Sequence, residues 1–190
     1  MADMVVKVGG ALLAYPALLD ATLHGIIDAG TDARILIVPG GGPFADAVRD
    51  TDRRIHLDDD TAHWMAILAM DQYAHLLAAR HPRLALAVTI AEAEAILTQH
   101  RVPVLAPYRW LRQADPLPHS WDVTSDSISA WIAGAVGATH LVLVKPPGAD
   151  VSAAVDPQFS HTLPTGISSL TVTADASDAL VAALRVPARR

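Results

Sequence analysis

The chain has 190 residues, a formal net charge of −6, 52% hydrophobic residues and a mean hydropathy of +0.30, which excludes a disordered chain. The acidic balance disfavours a general nucleic-acid binder, and the lack of cysteine excludes disulfides and thiolate metal sites. No apolar run reaches the ~18 residues of a membrane span, and no signal peptide is visible. We therefore expect one cytoplasmic domain over residues 1–190, with no nucleic-acid or membrane partner.

Short apolar runs and helical periodicity alternate along the whole chain. The predicted strands are residues 4–8, 34–38, 84–88, 102–106, 140–144 and 170–173. The predicted helices begin near Pro16, Pro43, Asp60, Glu92, Ser125 and Ser177. Strands that are apolar throughout are typical of a parallel sheet covered on both faces. The order therefore predicts an α/β fold, a three-layer α/β/α sandwich around a mainly parallel sheet.

Two segments lack such a pattern, and we predict that both are irregular. Residues 107–120 combine three prolines with Tyr108, Trp110 and His119, and residues 146–166 contain further prolines and glycines. A long proline-rich loop in a compact domain is usually a binding loop or an interface. Its aromatic residues suit either a flat ring that carries a cationic amine or the subunit interface of a homo-oligomer.

Two glycine turns follow predicted strands, Gly9-Gly10 after the first and Gly40-Gly41-Gly42 after the second. Glycine turns between a strand and a helix expose backbone N–H groups, and the helix N-terminus adds positive charge, so such turns bind phosphate. Neither turn matches a Walker loop or the dinucleotide fingerprint, and a purely structural role stays open. Because both follow parallel strands, we expect them to open on one edge of the sheet.

The chain has two lysines, Lys7 and Lys145, and each lies at or near the end of a predicted strand. Two cations beside amide-lined turns suit phosphoryl transfer, in which charge develops on the phosphoryl oxygens. The alternative is that Lys7 only caps a strand edge.

The segment from Trp121 to Trp131 crowds two carboxylates and three hydroxyls into six positions directly ahead of an apolar helix. Thr124 or Ser125 can cap the first turn, and Asp126 favours the positive end of the helix dipole. Capping alone would explain these residue types, but it needs only one of them.

These motifs resemble those of the amino acid kinase family, which includes acetylglutamate, aspartate, uridylate and isopentenyl phosphate kinases. Lys7-Val8-Gly9-Gly10 looks like the family's Lys-x-Gly-Gly opening, and Gly40-Gly41-Gly42 looks like its second glycine loop. Asp126 looks like the aspartate that organises the lysines, and Lys145 looks like the second phosphate-contacting lysine. Residues 120–128 are also similar to the branch that phosphorylates aminomethylfuran-methyl phosphate in methanofuran biosynthesis.

The sequence departs from the family pattern at two motifs and in its length. Ala11 stands where the family usually has serine, and Lys145-Pro146-Pro147-Gly148 replaces the Asp-Val-Asp-Gly turn on the nucleotide side. The carboxyl half is also shorter than in most members. These departures affect the nucleotide side more than the phosphate-binding turns.

The resemblance implies an ATP-dependent kinase that uses Mg²⁺ and acts on a small phosphorylated acceptor. The catalytic residues would then be Lys7, Asp126 and Lys145. The residues implied for nucleotide phosphates are Gly9, Gly10, Gly40, Gly41, Gly42, Thr124 and Ser125. The residues that could face the acceptor are Asp60, His63, Trp64, Trp121 and Asp122, although a histidine such as His63 more often has a structural role. No residue is predicted to ligate a metal.

Three alternatives remain from the sequence. A kinase of an amino-acid carboxylate, of a nucleoside monophosphate or of isopentenyl phosphate would share the same motifs. A non-catalytic oxyanion-binding or storage protein could use the glycine turns without turnover. A Rossmann-like dinucleotide protein is disfavoured because its fingerprint is missing.

Overall fold

The computed structural model describes residues 1–151 and 155–185. Its strands are β1 (Met4–Val8), β2 (Ile35–Pro39), β3 (Leu84–Ala87), β4 (Val102–Leu105), β5 (His140–Lys145) and β6 (Ser168–Thr173). They form one parallel sheet in the order β3-β4-β2-β1-β5-β6. The parallel sheet predicted from the apolar strands is confirmed.

Helices cover both faces of this sheet. Within the described residues they are α1 (Pro16–Ala29), α2 (Gly42–Ile55), α3 (Asp59–Ala78), α4 (Ile90–Thr98), α5 (Tyr108–Ala114), α6 (Ser125–Ala135), α7 (Phe159–Thr162) and α8 (Ser177–Ala183), with a short 3-10 helix at Gly10–Ala14. One apolar cluster packs α1 and α8 against the sheet, and a second packs α4, α5 and α6 against the opposite face. The predicted three-layer α/β/α sandwich is thus confirmed.

The central strand β1 directs a lysine toward the second face. Its five residues are all buried, which suits a strand with neighbours on both sides. Met4, Val6 and Val8 join the cluster beneath α1, whereas Val5 belongs to the cluster beneath α6. Because side chains alternate along a strand, Lys7 lies on the same face as Val5 and therefore beneath α6.

The expectation that residues 107–120 are irregular is wrong, because residues 108–114 form α5. The sequence Tyr-Arg-Trp-Leu-Arg-Gln-Ala contains several good helix formers, and the prolines flank it rather than interrupt it. Leu111 anchors this helix in the core at 1% exposure. The segment 146–166 also contains a helical turn, α7, at its far end.

None of the helices in residues 1–151 and 155–185 has the length and apolar character needed to cross a membrane.

Candidate active site

The two glycine turns meet at the carboxyl edge of the sheet, as expected. The N–H of Gly9 donates to the carbonyl of Val144 at 2.9 Å, and the N–H of Gly40 donates to Val8 at 2.8 Å. These bonds extend the ladders beyond β1 and β2. A Cβ added to Gly10 would lie 2.1 Å from the backbone nitrogen of Gly42, so the turns touch each other without room for a side chain.

Gly10→Ala is expected to cost about 3 kcal/mol or more of stability and to abolish activity, because backbone rather than a flexible side chain would have to move. The matched control is Gly25→Ala, within α1. A Cβ at Gly25 would meet nothing closer than 3.8 Å, so alanine should stabilise this helix by roughly 0.5–1 kcal/mol. Chemical denaturation of both variants measures the difference. Equal stability of the two would contradict the close approach of the turns.

A buried carboxylate joins the two lysines beside these turns. The Nζ of Lys145 donates a 2.6 Å hydrogen bond to Oδ2 of Asp126. The Nζ of Lys7 lies 2.9 Å from Oδ1 of the same carboxylate as an ion pair. Lys7 and Asp126 are only 5% and 4% exposed. One aspartate therefore holds two ammonium groups at the base of the site.

Strand order explains how residues so distant in the sequence come together. β1 lies between β2 and β5, and Lys7 is in register with Leu143, two residues before Lys145 at the end of β5. The first turn of α6 lies above these two strands and supplies Asp126. The cluster thus depends on three separate elements that converge at one sheet edge.

The cluster is electrostatically coupled. Burial would raise the pKa of Asp126, but the charges of Lys7 and Lys145 hold that pKa below its ordinary value. Burial lowers the pKa of Lys7, and the nearby Lys145 charge lowers it further, while Asp126 opposes both effects. With both lysines protonated, two ammonium groups face one shared carboxylate in a largely water-excluded place, and the charge of Asp156 also acts on Lys7. The two ammonium groups can attract the oxygens of an anion.

A second buried carboxylate, Asp156, organises the start of α6. Its Oδ2 accepts hydrogen bonds from the backbone N–H and hydroxyl of Thr124 at 2.9 and 2.7 Å, and from the N–H of Ser127 at 3.1 Å. Its Oδ1 accepts from the Ser127 hydroxyl and from the N–H of Gln158. Asp156 thereby satisfies the helix N-terminus and fixes the turn that presents Asp126.

Sequence reasoning missed Asp156. An aspartate in a loop does not show that it caps a helix that begins 31 residues earlier, because that contact depends on the path of the intervening chain. The family resemblance implies a phosphate contact for Thr124. In the structure, however, the N–H and the hydroxyl of Thr124 both donate to Asp156.

The lysine–aspartate cluster opens into a cavity of 280 Å³. The sequence-predicted residues in its wall are Lys7, Gly10, Gly41, Gly42, His63, Trp121, Thr124, Ser125, Asp126 and Lys145. The sequence-predicted residues outside its wall are Gly9, Gly40, Asp60, Trp64 and Asp122. Both glycine turns therefore contribute to the cavity, whereas only His63 and Trp121 of the residues predicted for the acceptor do so.

The mouth of the cavity contains charged residues that sequence reasoning did not select. Asp46 and Arg49 from α2 and Asp59 from α3 line it together with Trp121. The guanidinium of Arg49 lies 4.9 Å from the ring centroid of Trp121, and the indole N–H of Trp121 donates to Asp52 at 2.9 Å. The sequence could have indicated Asp46 and Arg49, since they are three residues apart on a helix that follows a glycine turn. It could not have indicated the contacts of Arg49 and Asp52 to Trp121, because these contacts join residues about 70 positions apart.

Trp64 and Asp60 lie in a neighbouring aromatic cluster. Trp64 packs edge-on against Tyr108 and His119, with the guanidinium of Arg112 4.6 Å from its ring centroid. Asp60 contacts His119. Asp122, by contrast, is exposed on the connection to α6.

Comparison with known proteins assigns the chain to a family. The sequence model of the amino acid kinase family matches residues 4–146. The chain is 32% identical over 130 residues to [5-(aminomethyl)furan-3-yl]methyl phosphate kinase of Methanocaldococcus jannaschii. That alignment covers 67% of this chain but 58% of the relative, so the chain spans less than two thirds of the relative's length.

Solved structures with the same fold include three nucleotide kinases. Uridylate kinase from Archaeoglobus fulgidus has a TM-score of 0.58 at 20% identity, covering 76% of this chain and 63% of that one. UMP kinase from Ureaplasma parvum has a TM-score of 0.57 at 17% identity, covering 77% of this chain and 70% of that one. UMP kinase from Bacillus anthracis has a TM-score of 0.65 at 13% identity, covering 94% of this chain and 89% of that one. The structural likeness supports the fold, and the match over residues 4–146 shows that the chain belongs to the amino acid kinase family.

Proposed function

We propose that this protein is an ATP-dependent phosphotransferase that acts on a small phosphorylated acceptor. The observation that supports this most directly is the pair of lysines held by Asp126 at the base of a glycine-lined cavity. Two ammonium groups that are buried and preorganised stabilise the charge that develops on a transferred phosphoryl group. Family membership points to the same chemistry.

The residues present fit the phosphates of ATP. Gly10 and Gly42 place backbone in the cavity wall, and Lys7 and Lys145 supply positive charge. Magnesium bound to a nucleotide needs only one or two protein carboxylates, because phosphates and water provide the other ligands. It would neutralise part of the phosphate charge.

The proposed reaction transfers the γ-phosphoryl group to a phosphate oxygen of the acceptor. A new P–O bond forms between this oxygen and the γ-phosphorus, the bond from the γ-phosphorus to the bridging oxygen breaks, and ADP leaves. The acceptor phosphate is already ionised near neutral pH, so no protein group has to remove a proton. Lys7 and Lys145 stabilise the charge on the transferred oxygens, and Asp126 keeps the two ammonium groups in place.

We further propose that the acceptor is an aminomethylfuran-methyl phosphate, which would become its diphosphate. The relative from M. jannaschii carries that substrate in its name. The cavity mouth is consistent with it, because Trp121 offers a flat aromatic surface and Asp46 and Asp59 offer carboxylates for a cationic amine. Asp46 also pairs with Arg49 at 3.0 Å, so one cation already lies at this mouth.

A panel of acceptors tests the assignment. Purified protein with ATP and Mg²⁺ is offered the furan phosphate, uridine monophosphate, isopentenyl phosphate, aspartate and acetylglutamate in parallel, and ADP release is measured. We expect the fastest release with the furan phosphate. Faster release with any of the other four would transfer the assignment to that acceptor class. Tight oxyanion binding without release in any reaction would instead indicate a binding or storage protein.

A further inference from the structure

His119 makes hydrogen bonds from both ring nitrogens to carboxylates. Nδ1 lies 2.6 Å from Oδ1 of Asp60, and Nε2 lies 2.8 Å from Oδ1 of Asp115. An ionised carboxylate only accepts hydrogen bonds, and a neutral imidazole has only one N–H to donate. Both contacts can therefore be hydrogen bonds together only when His119 is an imidazolium.

His119 lies within the segment that forms one wall of the cavity. We call residues 116–124, which follow Asp115 at the end of α5 and precede α6, the crossing segment. It contributes Ser120, Trp121, Val123 and Thr124 to the cavity wall. Through His119 it is attached to Asp60 in the first turn of α3 and to Asp115 at the end of α5. Asp115 adopts a left-handed conformation with φ of 41°, which aspartate and asparagine tolerate better than most residues.

The surroundings of His119 connect it to the cavity. His63 from α3 stacks on its ring with centroids 4.2 Å apart, and His63 itself lines the cavity. Burial and then the positive charge of His119 lower the pKa of His63 to about 4, so His63 is neutral. The charged and titratable groups around His119 on α3 are Asp60 and His63. At the end of α5 they are Asp115 and, farther away, Arg112, which packs on Trp64.

We propose that His119 is a positioning residue for the acceptor side of the cavity: as an imidazolium it fastens the crossing segment to α3 and α5, and loss of its proton loosens that wall. Trp121 is two residues away and is the aromatic surface proposed for the acceptor. This inference rests on the proposed function for its kinetic consequence, but its structural part does not.

The direction of the pH effect follows from the two contacts. The hydrogen bond to Asp60, followed by that to Asp115, raises the pKa of His119 above 6.5. The double attachment is therefore fully present below about pH 6.5, and one of its two hydrogen bonds is lost as the pH rises through the raised pKa. Acceptor KM should increase over that range while kcat changes little, because the lysine–aspartate cluster is not part of this contact.

Three variants separate this role from a general structural one. In Asp115→Asn a neutral His119 can donate to Asp60 and accept from the new amide, so its attachment no longer needs a proton. His119→Gln removes the imidazolium at every pH. His75→Gln is the matched control, because His75 is an exposed histidine on α3 outside the cavity.

Kinetics between about pH 6 and about pH 9 give the first readout. We expect acceptor KM of the native protein to rise about fivefold, the upper range for a partly exposed ion pair, with the same rise in His75→Gln. KM should stay low and flat in Asp115→Asn, and it should be high already at the acidic end in His119→Gln. An Asp115→Asn profile that rises like that of the native protein would overturn the proposal.

Two measurements on the unliganded protein need no acceptor. Hydrogen exchange of residues 116–124, corrected for intrinsic rates, should lose protection with rising pH in the native protein and keep it in Asp115→Asn. NMR titration should show a higher pKa for His63 in His119→Gln, because a neighbouring positive charge is gone. Protection that is independent of pH would refute the attachment. If exchange behaves as expected but no acceptor is phosphorylated, the proposed function fails and the role of His119 in holding the segment stands.

Discussion

Lys7→Met and Lys145→Met are each expected to lower turnover at least ~100-fold, the scale seen when one charge-stabilising group is lost from an active site. Each lysine brings positive charge to the base of the cavity, and both ammonium groups are held by the same carboxylate. Methionine retains most of the aliphatic volume, which matters because the Lys7 side chain is only 6% exposed. Each variant leaves Asp126 with one cation, so the chain should still fold.

The matched control is Arg54→Met, which removes an exposed cation of α2 from outside the cavity. Initial rates at saturating ATP and acceptor, measured beside thermal melting of each variant, separate loss of chemistry from loss of fold. Near-normal turnover by a lysine variant would remove that lysine from the mechanism. A comparable loss in Arg54→Met would show that the assay responds to net charge rather than to the site.

Asp126→Asn is expected to lower turnover by about 100-fold or more, because the amide no longer offsets the two neighbouring ammonium groups. Asp126 raises the pKa of Lys7, whereas burial and Lys145 lower it. Without the carboxylate, Lys7 should lose its proton at a lower pH, and the site then lacks the ammonium group of Lys7. Part of the lost rate should therefore return as the pH is lowered.

The stability of the same variant distinguishes this role from helix capping. A residue that only favoured the helix dipole would contribute about 1 kcal/mol and would leave the chemistry unchanged. Asp178→Asn is the matched control, since Asp178 follows a serine in the first turn of α8 as Asp126 does in α6, but it is exposed. Melting and turnover are measured on one preparation of each. An Asp126→Asn variant with a lowered melting temperature but normal turnover while folded would favour the capping role.

Acid should weaken the native cluster in a defined direction. Lys7 and Lys145 hold the pKa of Asp126 below its ordinary 3.8, although burial opposes them. The stability that the ionised Asp126 contributes is therefore fully present above pH 3.8. It is lost as the pH falls through the lowered pKa of Asp126 in the folded protein.

The local patterns of the sequence determined most of the secondary structure. Runs such as Met4–Val8 are buried on both faces and have no helical period, so they identify strands without knowledge of their neighbours. The glycines after β1 and β2 indicate turns. The structure supplies the reason at Gly10 and Gly42, which approach each other so closely that neither has room for a side chain. The prediction for residues 107–120 was wrong because flanking prolines obscured the short helix anchored by Leu111.

Only the tertiary structure decided which of these residues share a site. Lys7 and Lys145 come together because β1 pairs with β5, and that pairing joins strands more than 130 residues apart. Asp156 reaches α6, and His119 reaches Asp60, through turns of the chain that no local pattern encodes. The sequence thus determined the elements and the kinds of chemical group, since these depend on neighbouring residues. The strand order and the long-range contacts of buried carboxylates decided the geometry, because both depend on how the whole chain packs.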